Sequence, residues 1–311
     1  MQLGRTFVVF VGSWALVLAM SSCGGGGGGG GGGVALPVAA VATTTPPATD
    51  TPATPPASPP PAEPVAPAEP PPPATSRVVS DTITSAKTGA TYPLDIYLPA
   101  SYDGGTASYP VIYAMDGDGI FNPPGTRFSN LKDILDKRGT QAILVGIGGS
   151  ARREQDYTLP GARPYHEFLT LELVPFIETR YRADVKKRLL TGLSLSGSMA
   201  GIALFLEGAS GNLTFSHFLS FEGAFYFQEA EYQNLEQQMH DALGGGPLPA
   251  TLILTRCGNP RECNFTPVDA MYMRLLARGY QGLMLTEMTY AATHTQTDIP
   301  SFTDAVAGLL P

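Results

Sequence analysis

Arg188-Leu-Leu-Thr-Gly-Leu-Ser-Leu-Ser-Gly-Ser-Met-Ala-Gly201 is the stretch on which the reading of this chain turns. Leu189 and Leu190 belong to an apolar, strand-like run. Gly192 to Ser196 is a Gly-x-Ser-x-small turn, and Ala200, Gly201, Ala203 and Leu204 open a helix of small residues. Strand, sharp turn and helix, with Ser194 at the apex, lift a hydroxyl above a sheet and aim the next backbone N–H at a developing oxyanion. The flanking positions must be small because the turn is strained and its chains pass closely. A frame on Ser196 puts Ser194 and Ser198 at the flanks, a poorer fit. Alone, the pentapeptide reads equally as a Gly/Ser turn before a packed helix, so the rest of the chain decides.

Around this stretch, buried-type strands alternate with helices. Val78–Thr84 and Tyr92–Leu98 alternate apolar and polar across a Lys-Thr-Gly turn, which predicts an antiparallel hairpin. Strands are predicted from Tyr109, over Gln141–Gly148, before the elbow, over Phe215–Phe221, over Thr251–Thr255 and over Leu283–Thr289. Helices are predicted over Phe128–Arg138, Tyr165–Tyr181, Glu229–Leu243, Val268–Arg278 and Ile299–Leu310. The result is an α/β fold: a mostly parallel sheet with helices on both faces after an N-terminal hairpin. Ligand sites in such sheets lie at the carboxyl ends of the strands, where Asp116-Gly-Asp-Gly, Ser194, Glu222 and the Cys257–Cys263 segment all fall.

A nucleophilic serine needs a base and a group that orients the base, in the chain order Ser, acid, His. Four histidines are present. His166 and His240 sit on helices and read as bystanders, and His217 reads as a packed strand residue. His294, in Ala-Ala-Thr-His-Thr after the last strand, stands where the base belongs. The oxyanion hole is expected from the backbone N–H of Leu195 and that of Asp118, with the Asp116 side chain bracing its loop. Phe221, Phe225, Tyr226 and Phe227 read either as an acyl or aryl pocket or as ordinary packing.

The N-terminus carries other information. Arg5, an apolar run from Phe7 to Met20 and Ser21-Ser22-Cys23 read as a secretory signal over residues 1–22, too short for a membrane span. The serines before Cys23 resemble a bacterial lipobox, which implies acylation of Cys23; in that pattern the non-acidic Gly24 points to the outer membrane. Several acyl chains on one residue would anchor the protein stably. Residues 23–76 are a glycine tract followed by Pro, Ala and Thr, with almost no large apolar side chains, and this predicts a linker. Residues 77–311 then suit one domain. A net charge of −8 over 311 residues, without basic clusters, argues against nucleic-acid binding. Cys257 and Cys263 flank a Gly/Pro turn and read as a disulfide in an oxidising compartment. No metal or other cofactor is expected.

Five stretches together resemble the "Putative esterase" branch of the α/β-hydrolases, the group of esterase D, enterochelin esterases and feruloyl esterases. They are Val111-Ile-Tyr-Ala-Met-Asp-Gly, Val145-Gly-Ile-Gly with Arg152-Arg-Glu-Gln-Asp-Tyr-Thr, Glu172-Leu-Val-Pro-Phe-Ile-Glu, the elbow, and His294. Ser196-Gly197 departs from the family's usual Gly-Gly. The resemblance implies an α/β-hydrolase fold and a serine carboxylic-ester hydrolase working through an acyl-enzyme. It also places Glu262, similar to a Gly-x-x-Glu of enterochelin-type esterases, first among the candidate acids, ahead of Asp269 and then Glu222. An acyltransferase on the same scaffold, as in mycolyltransferases, and a non-catalytic surface-binding module are the alternatives.

Overall fold

The computed structural model describes residues 75–310. The signal segment, Cys23 and nearly all of the linker lie outside the described residues. Among those described, no helix is long and apolar enough to cross a membrane.

The strands are β1 (Arg77–Thr84), β2 (Thr91–Leu98), β3 (Tyr109–Ala114), β4 (Ile143–Ile147), β5 (Ala183–Leu193), β6 (His217–Phe221), β7 (Thr251–Cys257) and β8 (Met284–Tyr290). They form one sheet in the order β1-β2-β4-β3-β5-β6-β7-β8. The hairpin β1–β2 is antiparallel and joins β4 antiparallel, and every other pairing is parallel. The strand positions agree with the alternation read from the sequence. β3 and β4 are almost wholly buried because helices cover both sides, so their sequences are continuous apolar runs.

Two hydrophobic clusters sandwich the sheet. Val111 and Tyr113 of β3 point into one, with Tyr165, Phe168, Met199, Leu204, Met239 and Met271 from the helices of that side. Ile112 and Ala114, one residue out of phase, point into the other, against Phe128, Leu131, Phe302 and Val306. The second face is covered by the helices Arg127–Arg138 and Asp298–Leu309. The elbow helix Leu195–Ser210 is almost entirely buried, which explains its composition. The helix expected over Tyr165–Tyr181 is a run of three segments, Ala162–Glu167, Phe168–Leu173 and Val174–Glu178, with a π-turn in the middle. His217 heads β6 instead of lying mid-strand, and its Nδ1 meets Ser216 Oγ at 2.8 Å.

Three non-glycine residues have positive φ: Asp116 at 55°, Ser194 at 63° and Glu222 at 49°. They stand just past the carboxyl ends of β3, β5 and β6, three adjacent strands. Such a backbone costs of order 1–3 kcal/mol per residue and persists where the surroundings over-determine it. The strain is therefore concentrated at one rim of the sheet.

Candidate active site

The turn at Ser194 is built by exclusion. A Cβ on Gly192 would lie 2.2 Å from the carbonyl carbon and oxygen of Ser196, and one on Gly197 would lie 2.5 Å from the carbonyl oxygen of Phe221. Both positions must be glycine for the strand and helix to cross this closely. Ser194 N–H donates to Phe221 O at 2.9 Å, and Ala224 N–H donates to Ser194 O at 3.0 Å. The serine backbone is thus tied on both sides of Glu222.

Ser196 stands where the family usually has glycine, and its side chain is fully buried. Its Oγ accepts the Leu193 N–H at 2.8 Å and faces Asp116 Oδ2 at 2.7 Å. Arg153 Nη2 donates to the same Asp116 oxygen at 3.0 Å and to Leu193 O at 3.1 Å. Burial pushes the Asp116 carboxyl above its ordinary value; the Arg153 charge and the Ser196 hydroxyl pull the other way. Asp116 therefore braces the turn from behind, as expected, and the brace runs through Ser196 and Arg153.

In the Asp116–Gly119 turn, Gly117 N–H donates to Ile147 O and Gly119 N–H to Asp116 O. The Asp118 N–H has no acceptor among the described residues. The Asp118 carboxylate accepts the Gly149 and Ser150 N–H groups at 3.1 and 3.0 Å, which holds the turn in place. Leu195 is the first residue of its helix, so its N–H has no intrahelical partner. Both expected oxyanion donors are free.

His294 Nδ1 lies 2.8 Å from Glu222 Oε2, and the Glu222 side chain is completely buried. A carboxylate only accepts, so the imidazole donates through Nδ1–H and presents Nε2 as an acceptor. Neither that nitrogen nor Ser194 Oγ has a partner among the described residues. Glu222 Oε2 also accepts the Asn264 N–H at 3.0 Å, Oε1 accepts the Cys257 N–H, and the Glu222 carbonyl accepts from Asn264 Nδ2 at 2.7 Å.

The order expected among the acids is thereby reversed. Glu262 is exposed in the turn between the cysteines, and it lines a surface depression with Asn259, Thr293 and Gln296. Asp269 is taken by Arg256 Nη1 at 2.8 Å. Glu222, placed last from sequence, is the carboxylate facing His294. The reason is topological: the residue just past β6 sits between the ends of β5 and β7, whereas a residue five positions past β7 has already turned outward. His166 pairs with buried Glu207 at 3.1 Å, and His240 is exposed; neither approaches Ser194.

The pocket expectation also divides. Phe221 is fully buried in the cluster on the far face of the sheet, with Phe128 and Phe302, so it cannot line a pocket. Its side chain points away because it shares the face of Leu219, two residues earlier in β6. Phe225 and Tyr226 line a groove of about 220 Å³ with Glu229, Pro267, Met271 and Arg274, and neither Ser194 nor His294 is part of its lining. Phe227 is half exposed beside it.

Sequence reasoning missed a buried ion pair under the site. Arg127 and Asp298 are both fully buried, with Nη2 and Oδ1 2.9 Å apart. Arg127 also donates to Met115 O at 2.8 Å and Thr191 Oγ1 at 3.1 Å, behind the turn and the elbow. Asp298 opens the last helix four residues after His294, so the pair fixes the base-bearing loop to the sheet. Asn122 Nδ2 donates to Thr295 O at 2.8 Å, tying the same loop to the Asp118 turn. Cys257 and Cys263 are joined, with Cα atoms 5.7 Å apart. Glu222, Cys257 and Cys263 form a cluster with metal-ligand spacing, but the sulfurs are bonded to each other and the carboxylate is occupied by N–H donors.

Residues 85–207 match the family described as "Esterase: Putative esterase". The ferri-bacillibactin esterase BesA of Bacillus subtilis (strain 168) is 29% identical, with 29% of this chain and 40% of the relative covered. The chain thus spans less than half the length of that curated relative. An IroE-like serine hydrolase from Shewanella oneidensis superposes with a TM-score of 0.63 at 21% identity, covering 75% of this chain and 79% of the other. A siderophore hydrolase, EstA from Aspergillus nidulans, superposes with a TM-score of 0.62 at 18% identity, covering 75% and 93%.

Proposed function

We propose, for a chain that belongs to the "Putative esterase" branch of the α/β-hydrolases, a serine carboxylic-ester hydrolase with Ser194 as nucleophile, His294 as base and Glu222 as the acid. The observation that carries this reading is the His294–Glu222 bond beside a strained serine. It leaves Nε2 free to take the hydroxyl proton and places a buried charge behind the imidazolium that forms. No hydrogen bond joins His294 to Ser194 among the described residues, and bonds of this kind commonly tighten only in the complex with substrate.

The cycle follows from the parts. Ser194 Oγ attacks the ester carbonyl as His294 Nε2 accepts its proton. The N–H groups of Leu195 and Asp118 hold the oxyanion. The imidazolium then protonates the leaving alkoxide, and an acyl-enzyme remains. Water, deprotonated by the same imidazole, attacks the acyl carbon and frees the acid. None of these steps calls on a cofactor. Phe225 and Tyr226 line the groove that would receive an apolar or aryl part of the substrate. The Aspergillus structure is named a siderophore hydrolase and the Bacillus relative a ferri-bacillibactin esterase, so siderophore esters come first among substrates to assay.

The leader and Cys23 support export and lipid anchoring, with the membrane as partner through that cysteine. Feeding cells an alkyne fatty acid should label the wild type and not a Cys23→Ala variant.

The test of the activity is hydrolysis of a panel of nitrophenyl and siderophore esters by the full chain, with and without an added alcohol acceptor. Free acid as the product, lost in Ser194→Ala, supports the hydrolase. Predominant formation of a new ester would instead make it an acyltransferase, and no serine-dependent turnover would leave only a binding module.

A further inference from the structure

Glu222 is held by a loop that one covalent bond closes. Its Oε1 accepts from the amide of Cys257, and its Oε2 accepts from the amide of Asn264, the residue after Cys263. Asn264 also clamps the Glu222 carbonyl through its side chain at 2.7 Å. The two amides that fix the carboxylate therefore sit on one disulfide cysteine and directly beside the other. Between them, Gly258 to Glu262 are all exposed. Gly258 N–H reaches Tyr290 O at 2.7 Å. From Asn259 to Glu262 the only hydrogen bonds among the described residues are internal to the turn, Glu262 N–H to Asn259 O and Arg261 N–H to Asn259 Oδ1. Besides Glu222 itself, two ties hold Asn264 in register with Cys257: the covalent bond between Cys257 and Cys263, and the Arg256 guanidinium, which stacks on Phe265 at 3.8 Å and pairs with Asp269 at 2.8 Å.

We infer that the Cys257–Cys263 disulfide and Asn264 are positioning residues for the base, acting through Glu222, so that the esterase reaches its full rate only with the disulfide formed. The inference rests on the Ser194–His294–Glu222 reading above. Cys257 is fully buried and Cys263 is partly exposed, so a thiol reductant meets Cys263 first. A dithiol's thiolate attacks Cys263 Sγ and expels Cys257 as the thiolate, which takes up a proton. The second thiol of the reagent then displaces Cys263 and closes the reagent's own disulfide. Two electrons and two protons pass to the cysteine pair. Asn264 is then free to leave Glu222, and the carboxylate loses its fixed direction toward His294. Misplacement of a catalytic group by about 1 Å costs about a hundredfold in rate.

The experiment compares kcat and KM of the full chain, oxidised and after dithiothreitol, in wild type and in Glu222→Gln, with free thiols counted in each. In the wild type, reduction should lower kcat about 10- to 100-fold with KM within about twofold, and a small oxidising disulfide should restore it. In Glu222→Gln the redox state should change kcat less than about twofold, because the group being positioned is already disabled. A Cys257→Ala/Cys263→Ala variant should match the reduced wild type and ignore dithiothreitol. Asn264→Ala should show the same split of kcat from KM in the oxidised state. Equal kcat in the two redox states of the wild type, with thiols shown to be released, overturns the inference and leaves the esterase reading intact. An equal fractional loss in Glu222→Gln also overturns it, since the bond then serves stability alone. Absence of serine-dependent turnover in the oxidised wild type is a failure of the esterase reading instead.

Discussion

Glu222→Gln is the substitution with the most to say about the site, because charge and hydrogen bonding can be separated in its result. The wild-type carboxylate is fully buried and accepts from His294 Nδ1, Asn264 N–H and Cys257 N–H. Glutamine keeps the volume and loses the charge. A hydrogen bond to a charged group contributes about 1.5–3 kcal/mol. A unit charge about 4 Å from the forming imidazolium adds about 4 kcal/mol at an effective dielectric near 20. Part of this is lost to relaxation, so a rise of about 3–5 kcal/mol in the barrier is reasonable. At about 1.4 kcal/mol per decade, kcat falls about 10²- to 10⁴-fold. The amide also brings a stability cost. Its NH₂ must face either the Asn264 or the Cys257 N–H, and one orphaned buried donor costs about 1–3 kcal/mol. Steady-state hydrolysis of a nitrophenyl ester and a urea titration read the two effects separately. Glu262→Gln, run beside it, should leave kcat unchanged. A Glu222→Gln enzyme within threefold of wild type, or a Glu262→Gln enzyme equally impaired, would refute the assignment of the acid.

Other consequences can be checked with standard variants. Gly192→Ala places a methyl 2.2 Å from the Ser196 carbonyl, and should cost about 3 kcal/mol or more and abolish reaction with ester substrates; a normal melting curve with full activity would contradict the elbow geometry. Arg127→Leu strands the buried Asp298 carboxylate, so chemical denaturation should show a loss of about 3–5 kcal/mol, compared with less for the double variant Arg127→Leu/Asp298→Asn. Glu236 is buried, which pushes its carboxyl up, but Arg278, Tyr280 and Arg274 together outweigh burial and hold it below the ordinary 4.5. A depressed carboxyl contributes stability that is fully present above about pH 4.5 and lost as pH falls through the folded value. The stability gap between wild type and Glu236→Gln, followed by thermal melts, should therefore shrink on acidification below that pH, and a gap that widens would reverse the sign.

The fold was legible because its signals are local. Continuous apolar runs at β3 and β4, glycines at Gly192 and Gly197, and the helical spacing around Leu131 each follow from nearby sequence. The placement of Ser194 and His294 was legible for a related reason: a strained turn and a position after the last strand are both set by chain order. The carboxylate that faces His294 was not, since three carboxylates satisfy the same order. Only the lateral arrangement of β5, β6 and β7 distinguishes Glu222 from Glu262. Phe221 shows a simpler failing. Phe221 is in phase with Leu219 along β6, so the period of two turns it to the far face of the sheet, a signal present in the sequence. Ser196, Arg127 and Asn264 act through partners 80, 171 and 42 residues away, and no pattern within one segment could announce them.

The central claim is that Ser194 is a nucleophile activated by His294. Reaction of the intact protein with a fluorophosphonate, followed by peptide mapping, tests it most directly. The account predicts one phosphonylated residue, Ser194, with labelling absent in Ser194→Ala and much slower in His294→Ala. Adduct formation at Ser196 or elsewhere, or labelling that persists in Ser194→Ala, would contradict it.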